Sequence, residues 1–287
     1  MKIGIILDST KVSWYINDLI KWIKKTPNLD LEVLLIQNVD IKRKSIFRDS
    51  LLKIADRILF KIVNILEKRL IYKKYPQYKK HFLKYDLKNL NIKELNVEFD
   101  KSNNGRNFNY NDKTINKIKE LNLDIIIRGG SGILTGKILN SSKFGIISFH
   151  HGDNLVNRGG PSGFWEVYEK NPKTGFTIQI LTERLDGGNV IKRGNFRTEQ
   201  FYHLNQIILT ERSNYYMKSV LNNIHNTSSL PPFMKDYPYY NRIYKAPNFR
   251  ESIRYLFNLI FNKIKIYTIN KFFNKVWHVG YQDETFD

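Results

Sequence analysis

The chain has 287 residues, of which 41% are hydrophobic, and it carries no cysteine. That is enough apolar side chain for a sizeable core, and it excludes disulfides, thiolate metal sites and cysteine nucleophiles together. The formal net charge of +20 leaves two readings open: a solvated basic surface, or a polyanionic partner such as RNA, anionic lipid or a phosphorylated substrate.

The opening run MKIGIILDST is too short in its apolar part for a signal peptide. Lys2 to Leu7 is therefore expected as a buried strand, and the absence of cysteine suits a cytoplasmic location, peripheral to the membrane in one reading. Val12 to Lys25 has apolar residues at helical spacing and is closed by Pro27, and Leu31 to Ile36 reads as a second strand. This is the start of a β-α-β unit with a right-handed crossover.

From Ile41 to Tyr85 fourteen lysines and arginines stand against three acidic residues. Within that stretch Leu51, Leu52, Ala55, Ile58, Leu59, Ile62, Val63 and Leu66 share one helical face. We read a basic helical insertion at about 41–90, docked on the sheet, with a membrane-surface helix as the sharper alternative. Tyr72 to Tyr85 reads as an exposed arm. Ile92 to Phe99 is expected as an edge strand, and Asn103-Asn104-Gly105 is a turn signal. Thr114 to Leu121 is a short helix that leads into a strand from Asp124 to Ile127.

The loop Gly129-Gly130-Ser131-Gly132 follows, then a helical turn from Thr135 to Leu139. The next strand, Phe144 to Phe149, ends at His150-His151-Gly152-Asp153. Alternating strands and helices predict an open, mostly parallel α/β sheet, in which ligands sit beyond the carboxyl ends of the strands. Both the glycine loop and His150 lie there. The loop matches neither a dinucleotide fingerprint nor a phosphate-binding lysine loop. It is either a plain tight turn or backbone that lies against a flat ligand.

After residue 200, Leu204 to Ile224 is a covering helix, and Pro231-Pro232 with Tyr237 to Tyr244 forms an irregular arm. Phe249 to Lys275 is apolar and basic, interrupted by Lys263, Lys265 and Asn270, so it is a poor spanning helix. It reads as an amphipathic extension that lies on a membrane surface or packs on a further domain. Val276 to Tyr281 looks like a strand cut short. The expected division is 1–200, 201–248 and 249–287.

The chemistry falls between Gly145 and Ile191. His150, His151 and Asp153 invite a zinc reading, but neighbouring strand residues face opposite sides, so the histidine pair chelates only with irregular backbone. His150 alone could also be a core histidine. Its company is more specific: a strand ending in Ser148-Phe149-His150, a loop with Arg158, Gly159 and Trp165, the run Thr174-Gly175-Phe176-Thr177, and the turn Asp186-Gly187-Gly188. In that order, over roughly Lys2 to Gly194, the chain resembles the folate-dependent formyltransferase family. That family includes glycinamide ribonucleotide transformylase, methionyl-tRNA formyltransferase and the nucleotide-sugar N-formyltransferases.

The resemblance implies a Rossmann-like formyltransferase sheet and transfer of a formyl group from 10-formyltetrahydrofolate, the co-substrate, to a primary amine without a metal. It implies catalytic roles for His150, Asp186 and Ser148. Arg128, Gly129, Gly130, Ser131, Gly132, Ile133 and Leu134, with Thr174, Gly175 and Asp186, fall to the folate side. His151, Asn154, Arg158 and Gly159 fall to the acceptor side. Ser148 stands where the family has asparagine, so the side-chain amide that meets the formyl oxygen is missing, and His151 and Asn154 are the candidates to replace it. The implied acceptor is a phosphorylated or nucleotide-linked amino sugar of surface glycan biosynthesis. Methionyl-tRNA is a second acceptor, favoured by charge, and a catalytically inactive folate-fold binding module is a third reading.

Overall fold

In the computed structural model the described residues are 1–39, 51–102, 105–156, 158–183, 188–235, 243–273 and 283–286. The elements used below are β1 (Lys2–Leu7), α1 (Trp14–Lys25), β2 (Asp30–Ile36), α2 (Leu51–Lys74), β3 (Glu94–Asn96), β4 (Phe99–Lys101), β5 (Asn107–Tyr110), α3 (Asp112–Glu120), β6 (Ile125–Arg128), β7 (Ile133–Thr135), β8 (Ile146–His150), α4 (Phe164–Glu169), β9 (Lys173–Ile180), β10 (Asn189–Arg197), α5 (Tyr202–Thr227), α6 (Phe249–Phe273) and β11 (Asp283–Phe286). The central sheet has eight strands in the order β11-β10-β9-β8-β6-β1-β2-β3. β3, β2, β1, β6 and β8 run parallel, and β9, β10 and β11 continue the sheet antiparallel.

The parallel strands are near-continuous runs of Ile, Leu and Val because both of their faces are covered. On one face Ile5, Ile127, Ile147 and Ile178 pack with Leu19 and Ile20 of α1 and Met217 and Leu221 of α5. On the other, Ile6, Leu35, Ile126 and Ile146 pack with Ile115 and Ile118 of α3 and with Phe108 of β5. Asn111 caps α3, its side chain accepting from Thr114 N at 2.9 Å, which satisfies an otherwise orphaned amide.

Within the stretch read as an insertion, the expected helix is longer than its apolar pattern suggested: α2 runs on to Lys74. Its buried face, with Val63 and Ile71, joins Phe164 of α4, Leu204 of α5 and Tyr255 and Leu259 of α6 in a separate apolar cluster. Tyr72 to Tyr85 is not an exposed arm. A 3-10 helix from Pro76 to Phe82 turns Tyr78 and Phe82 onto that cluster. The His81 ring lies tilted against Trp14, with ring centroids 4.1 Å apart, and its Nε2 is 2.9 Å from Glu211. Its aromatic residues supply packing area that lysine spacing alone does not reveal.

Three further expectations meet the described residues only in part. The edge strand is confined to Glu94–Asn96. The turn signal at Asn103 and Asn104 lies outside the described residues, between two strands, β4 and β5, that pair antiparallel. Tyr237 to Asn241 and Val276 to Tyr281 also lie outside them.

Glu67 is fully buried where α2, α5 and α6 meet. Its Oε1 accepts from His203 N at 3.1 Å and from the Tyr255 hydroxyl at 3.2 Å. Burial pushes its carboxyl up to about 7. The stability from the protonated form is therefore fully present below the ordinary carboxyl range and lost as pH rises through about 7. Glu67→Gln keeps the acceptor oxygen, so at pH 5 it should melt close to wild type. At pH 8 it should melt several degrees higher, and thermal unfolding at the two pH values checks this.

Candidate active site

Strand register assembles the site. β8 lies between β6 and β9, so Ser148 sits beside Arg128 on one side and Gln179 on the other. Two residues on, His150 is opposite Thr177, which is opposite Arg193. Side chains alternate along a strand, so these residues share one face. It is the face of Ile126 and Ile146, yet toward the carboxyl ends of β6 and β8 it turns polar. Arg128, Ser148, Thr177, Gln179 and Arg193 are all buried, in a sheet whose other buried positions are mostly apolar. Buried polar groups are retained where partners or function hold them.

Each group has a distinct environment. The Ser148 hydroxyl donates to the carbonyl of Phe149 at 3.1 Å. Gln179 Oε1 accepts from Asn154 Nδ2 at 3.3 Å, and nothing among the described residues accepts from Gln179 Nε2. The Thr177 hydroxyl donates to Gly152 O at 3.0 Å, and Arg193 Nε lies 3.1 Å from Asp153 Oδ1. Both bonds tie down the loop that follows His150. Gly175 belongs to the same arrangement, since a Cβ there would come within 2.6 Å of the Asp153 Cβ.

The glycine loop is shaped from within the protein. The Arg128 guanidinium is buried and donates through Nη2 to the carbonyls of Ser131 and Gly132. Asp8 Oδ1 accepts from Ser131 N and from Gln37 Nε2, both at 2.9 Å, and the Tyr110 hydroxyl donates to Gln37 Oε1 at 3.0 Å. Burial lowers the Arg128 pKa and raises that of Tyr110. The carbonyls and Asp8 compensate a cation that would otherwise be costly in a low-dielectric site. Gly132 has φ +83° and packs on the Phe108 ring, 2.4 Å from where a Cβ would stand. Gly130 presses on Gln37 and Asp8 in the same way. Ile133 and Leu134 enter β7, which pairs with β5, and Leu134 is core. Packing inside the loop and a left-handed backbone thus call for glycine at 132, while the neighbours of Gly130 are the ends of flexible side chains.

Other predicted site residues are distributed elsewhere. His151 turns to the α1 and α5 side, stacked on Phe149 with ring centroids 5.6 Å apart and edge-on to Tyr15 at 5.2 Å. Its Nδ1 is 3.3 Å from the Ser213 hydroxyl. It therefore faces away from Ser148, whereas Asn154 bonds Gln179, the cross-strand neighbour of Ser148. Thr174 is fully buried, with its hydroxyl between Thr198 at 2.9 Å and Asn205 at 3.2 Å. Arg158 and Gly159 pair with Ile243 and Tyr244. Nearby, Trp165 Nε1 donates to Lys245 O at 3.1 Å, so that loop is pinned to the segment leading into α6. Asp186 and Gly187 lie outside the described residues. Before them, Leu181 N donates to Ile146 O at 2.8 Å, and Glu183 Oε1 accepts from Gly136 N at 3.0 Å.

Gln179 is the residue that sequence reading missed. Only its cross-strand register with Ser148 marks it, and register is a property of the folded sheet. Between the loop that follows His150 and α5, a cleft of about 890 Å³ is lined by Asp153, Arg193, Tyr216 and Phe233. Among the described residues no cluster of three or more His, Cys, Asp or Glu is arranged to hold a metal ion.

No protein-family model matches the chain. A methionyl-tRNA formyltransferase of Bacillus pumilus is 34% identical over 83 residues, 29% of this chain and 26% of that protein. One from Rickettsia canadensis is 27% identical over 123 residues, 42% of this chain and 40% of that protein. The chain spans less than half the length of these curated relatives. In three dimensions it resembles glycinamide ribonucleotide transformylase 1 from Symbiobacterium toebii, with a TM-score of 0.52 at 8% identity, covering 79% of this chain and 88% of that one. It also resembles phosphoribosylglycinamide formyltransferase from Anaplasma phagocytophilum, with a TM-score of 0.52 at 11% identity, covering 83% and 96%. At such identities the likeness is one of fold.

Two measurements check this geometry. Gly132→Ala should destabilise by about 2 kcal/mol through left-handed strain and overlap with Phe108. Gly105→Ala, also at positive φ but with nothing near its Cβ, should cost about half as much, and denaturant unfolding distinguishes them. Burial, with His150 alongside, holds His151 down to about 4. Its contribution to stability is present above the ordinary histidine range and lost as pH falls toward 4. The melting difference between wild type and His151→Phe should therefore shrink or reverse between pH 6.5 and 4.

Proposed function

We propose, from the premise that this chain belongs to the folate-dependent formyltransferase family, that it transfers a formyl group to the primary amine of a small acceptor, a phosphorylated or nucleotide-linked amino sugar. The observation that carries the reading is the buried polar face on which His150 stands two residues beyond the Arg128–Ser148–Gln179 row, at the carboxyl ends of parallel strands, where open α/β sheets bind their ligands.

The formyl donor in this reading is 10-formyltetrahydrofolate. It supplies an activated formyl group on nitrogen, and the buried face offers groups that fit its reaction. During transfer the formyl carbon leaves one nitrogen for the acceptor amine, negative charge gathers on the formyl oxygen, and the amine loses a proton. His150 donates a hydrogen bond to that oxygen. Asp186, between β9 and β10 in the chain, takes the proton from the amine and returns it to the departing nitrogen. In this assignment Gln179 replaces the amide that Ser148 lacks: its Nε2 has no acceptor among the described residues, and Asn154 orients its carbonyl end. Arg128 acts indirectly by holding the glycine loop in shape.

Mass spectrometry of candidate amines incubated with 10-formyltetrahydrofolate tests the reading. An aminosugar nucleotide should gain the mass of one formyl group. His150→Ala should lower the rate by roughly 10²–10⁴-fold, and Gln179→Leu by roughly 10²–10³-fold, as for loss of one oxyanion donor. Ser148→Ala should remain within a few-fold of wild type. Transfer to methionyl-tRNA instead would reassign the acceptor, and no turnover on a broad amine panel would favour a binding module.

A further inference from the structure

The α2–α6 pair lies outside the site just described and shows a surface that the proposed reaction does not use. α2 leaves Ile58, Ile62, Ile65 and Leu66 exposed, and α6 leaves Phe257, Ile260, Phe261 and Ile264 exposed. In each helix the positions recur at spacings of three and four, so each set forms a continuous stripe. Phe257 is 67% exposed and Phe261 72%, which is extreme for side chains of that size. Single exposed apolar residues are ordinary, but stripes of this kind mark interaction surfaces.

The charges beside the stripes are almost all of one sign. α2 carries seven lysines and arginines against two acidic residues, and α6 five against one. All three carboxylates are engaged within the protein. Glu67 is buried against Tyr255 and His203. Asp56 accepts from Phe249 N at 2.5 Å. Glu251 accepts from Asn248 N at 2.8 Å while its own N–H donates to Asn248 Oδ1 at 2.9 Å, a capping box that starts α6. Lys53, Lys61, Arg69, Lys73, Arg250 and Arg254 face solvent. No helix among the described residues is long and apolar enough to cross a membrane.

We propose that the α2–α6 pair docks in plane on an anionic lipid bilayer, with the Phe257–Ile264 and Ile58–Leu66 stripes entering the headgroup–acyl boundary and the flanking lysines and arginines meeting lipid phosphates. Apolar stripes with cationic borders match such an interface in both chemistries. A second copy of the chain matches less well, because a two-fold contact would bring the same cations of both copies together. The inference is independent of the acceptor and of the formyl-transfer reading.

Vesicle flotation of the full chain provides the test, with phosphatidylcholine vesicles alone or mixed with phosphatidylglycerol. The protein should float with the mixed vesicles and not with phosphatidylcholine alone, and raised salt should weaken the binding. Phe257→Ser with Phe261→Ser should reduce partitioning by at least about tenfold, and Lys53→Glu with Lys61→Glu should also reduce it. Both double variants should keep the wild-type circular dichroism spectrum and melting temperature, since the four side chains lie outside the core. Equal flotation of the phenylalanine variant and wild type overturns the proposal, as does binding to neither vesicle. So does a lipid-free dimer, seen by light scattering, that the phenylalanine variant abolishes, because that assigns the stripes to a second copy.

Discussion

The position of β8 between a parallel neighbour and an antiparallel one is the constraint on which the site depends. Parallel pairing with β6 sets Ser148 beside Arg128, and antiparallel pairing with β9 sets it beside Gln179 and sets His150 beside Thr177. Because side chains alternate with a period of two, a slip of one residue in either register would send these groups to the α1–α5 face. The apolar residues that interleave with them oppose such a slip. Ile147 is buried on the α1–α5 face and Ile146 on the other, so both layers of core enforce the register that the polar row requires.

Around that row the protein repeatedly uses its own groups to immobilise loops. Arg128 holds the glycine loop by two carbonyls, and Asp8 and Gln37 hold it from the other side. Arg193 and Thr177 hold the loop after His150. Asn205, fully buried in α5, donates to Gly163 O at 2.8 Å and accepts from Glu199 N at 3.1 Å, joining the Trp165 loop to the end of β10. Most of these bonds bury a polar group with its partner, so losing one side leaves a desolvated group behind and costs more than the bond itself. Rigid loops on a rigid sheet suit a site that must present hydrogen-bond donors to a developing charge.

The helical insertion shows a different economy. Its inner face joins α4, α5 and α6 in one aromatic-rich cluster, and its carboxylates turn inward as caps and buried acceptors. What α2 turns outward is apolar or cationic. A strictly packed sheet thus stands beside a helical surface of unbalanced charge.

Much of this was legible before any coordinates. The Ile-rich runs announced the parallel strands, helical spacing announced α1, α2, α5 and α6, and the ordered residues His150, Arg158, Thr174 and Asp186 carried the family resemblance. Those signals are local, since propensity and periodicity act over a few neighbouring residues. What the sequence could not determine is which distant residues meet. The antiparallel return of β9 brings Gln179 to Ser148. The close of the glycine loop on Phe108 gives Gly132 a packing role that no local pattern shows. The contacts of His151 with Phe149 and Tyr15 place it on the opposite face from His150, and Tyr78, His81 and Phe82 pack a seemingly free arm against its neighbours. Each depends on contacts across tens of residues of chain, and only the completed sheet and its covering helices supply those.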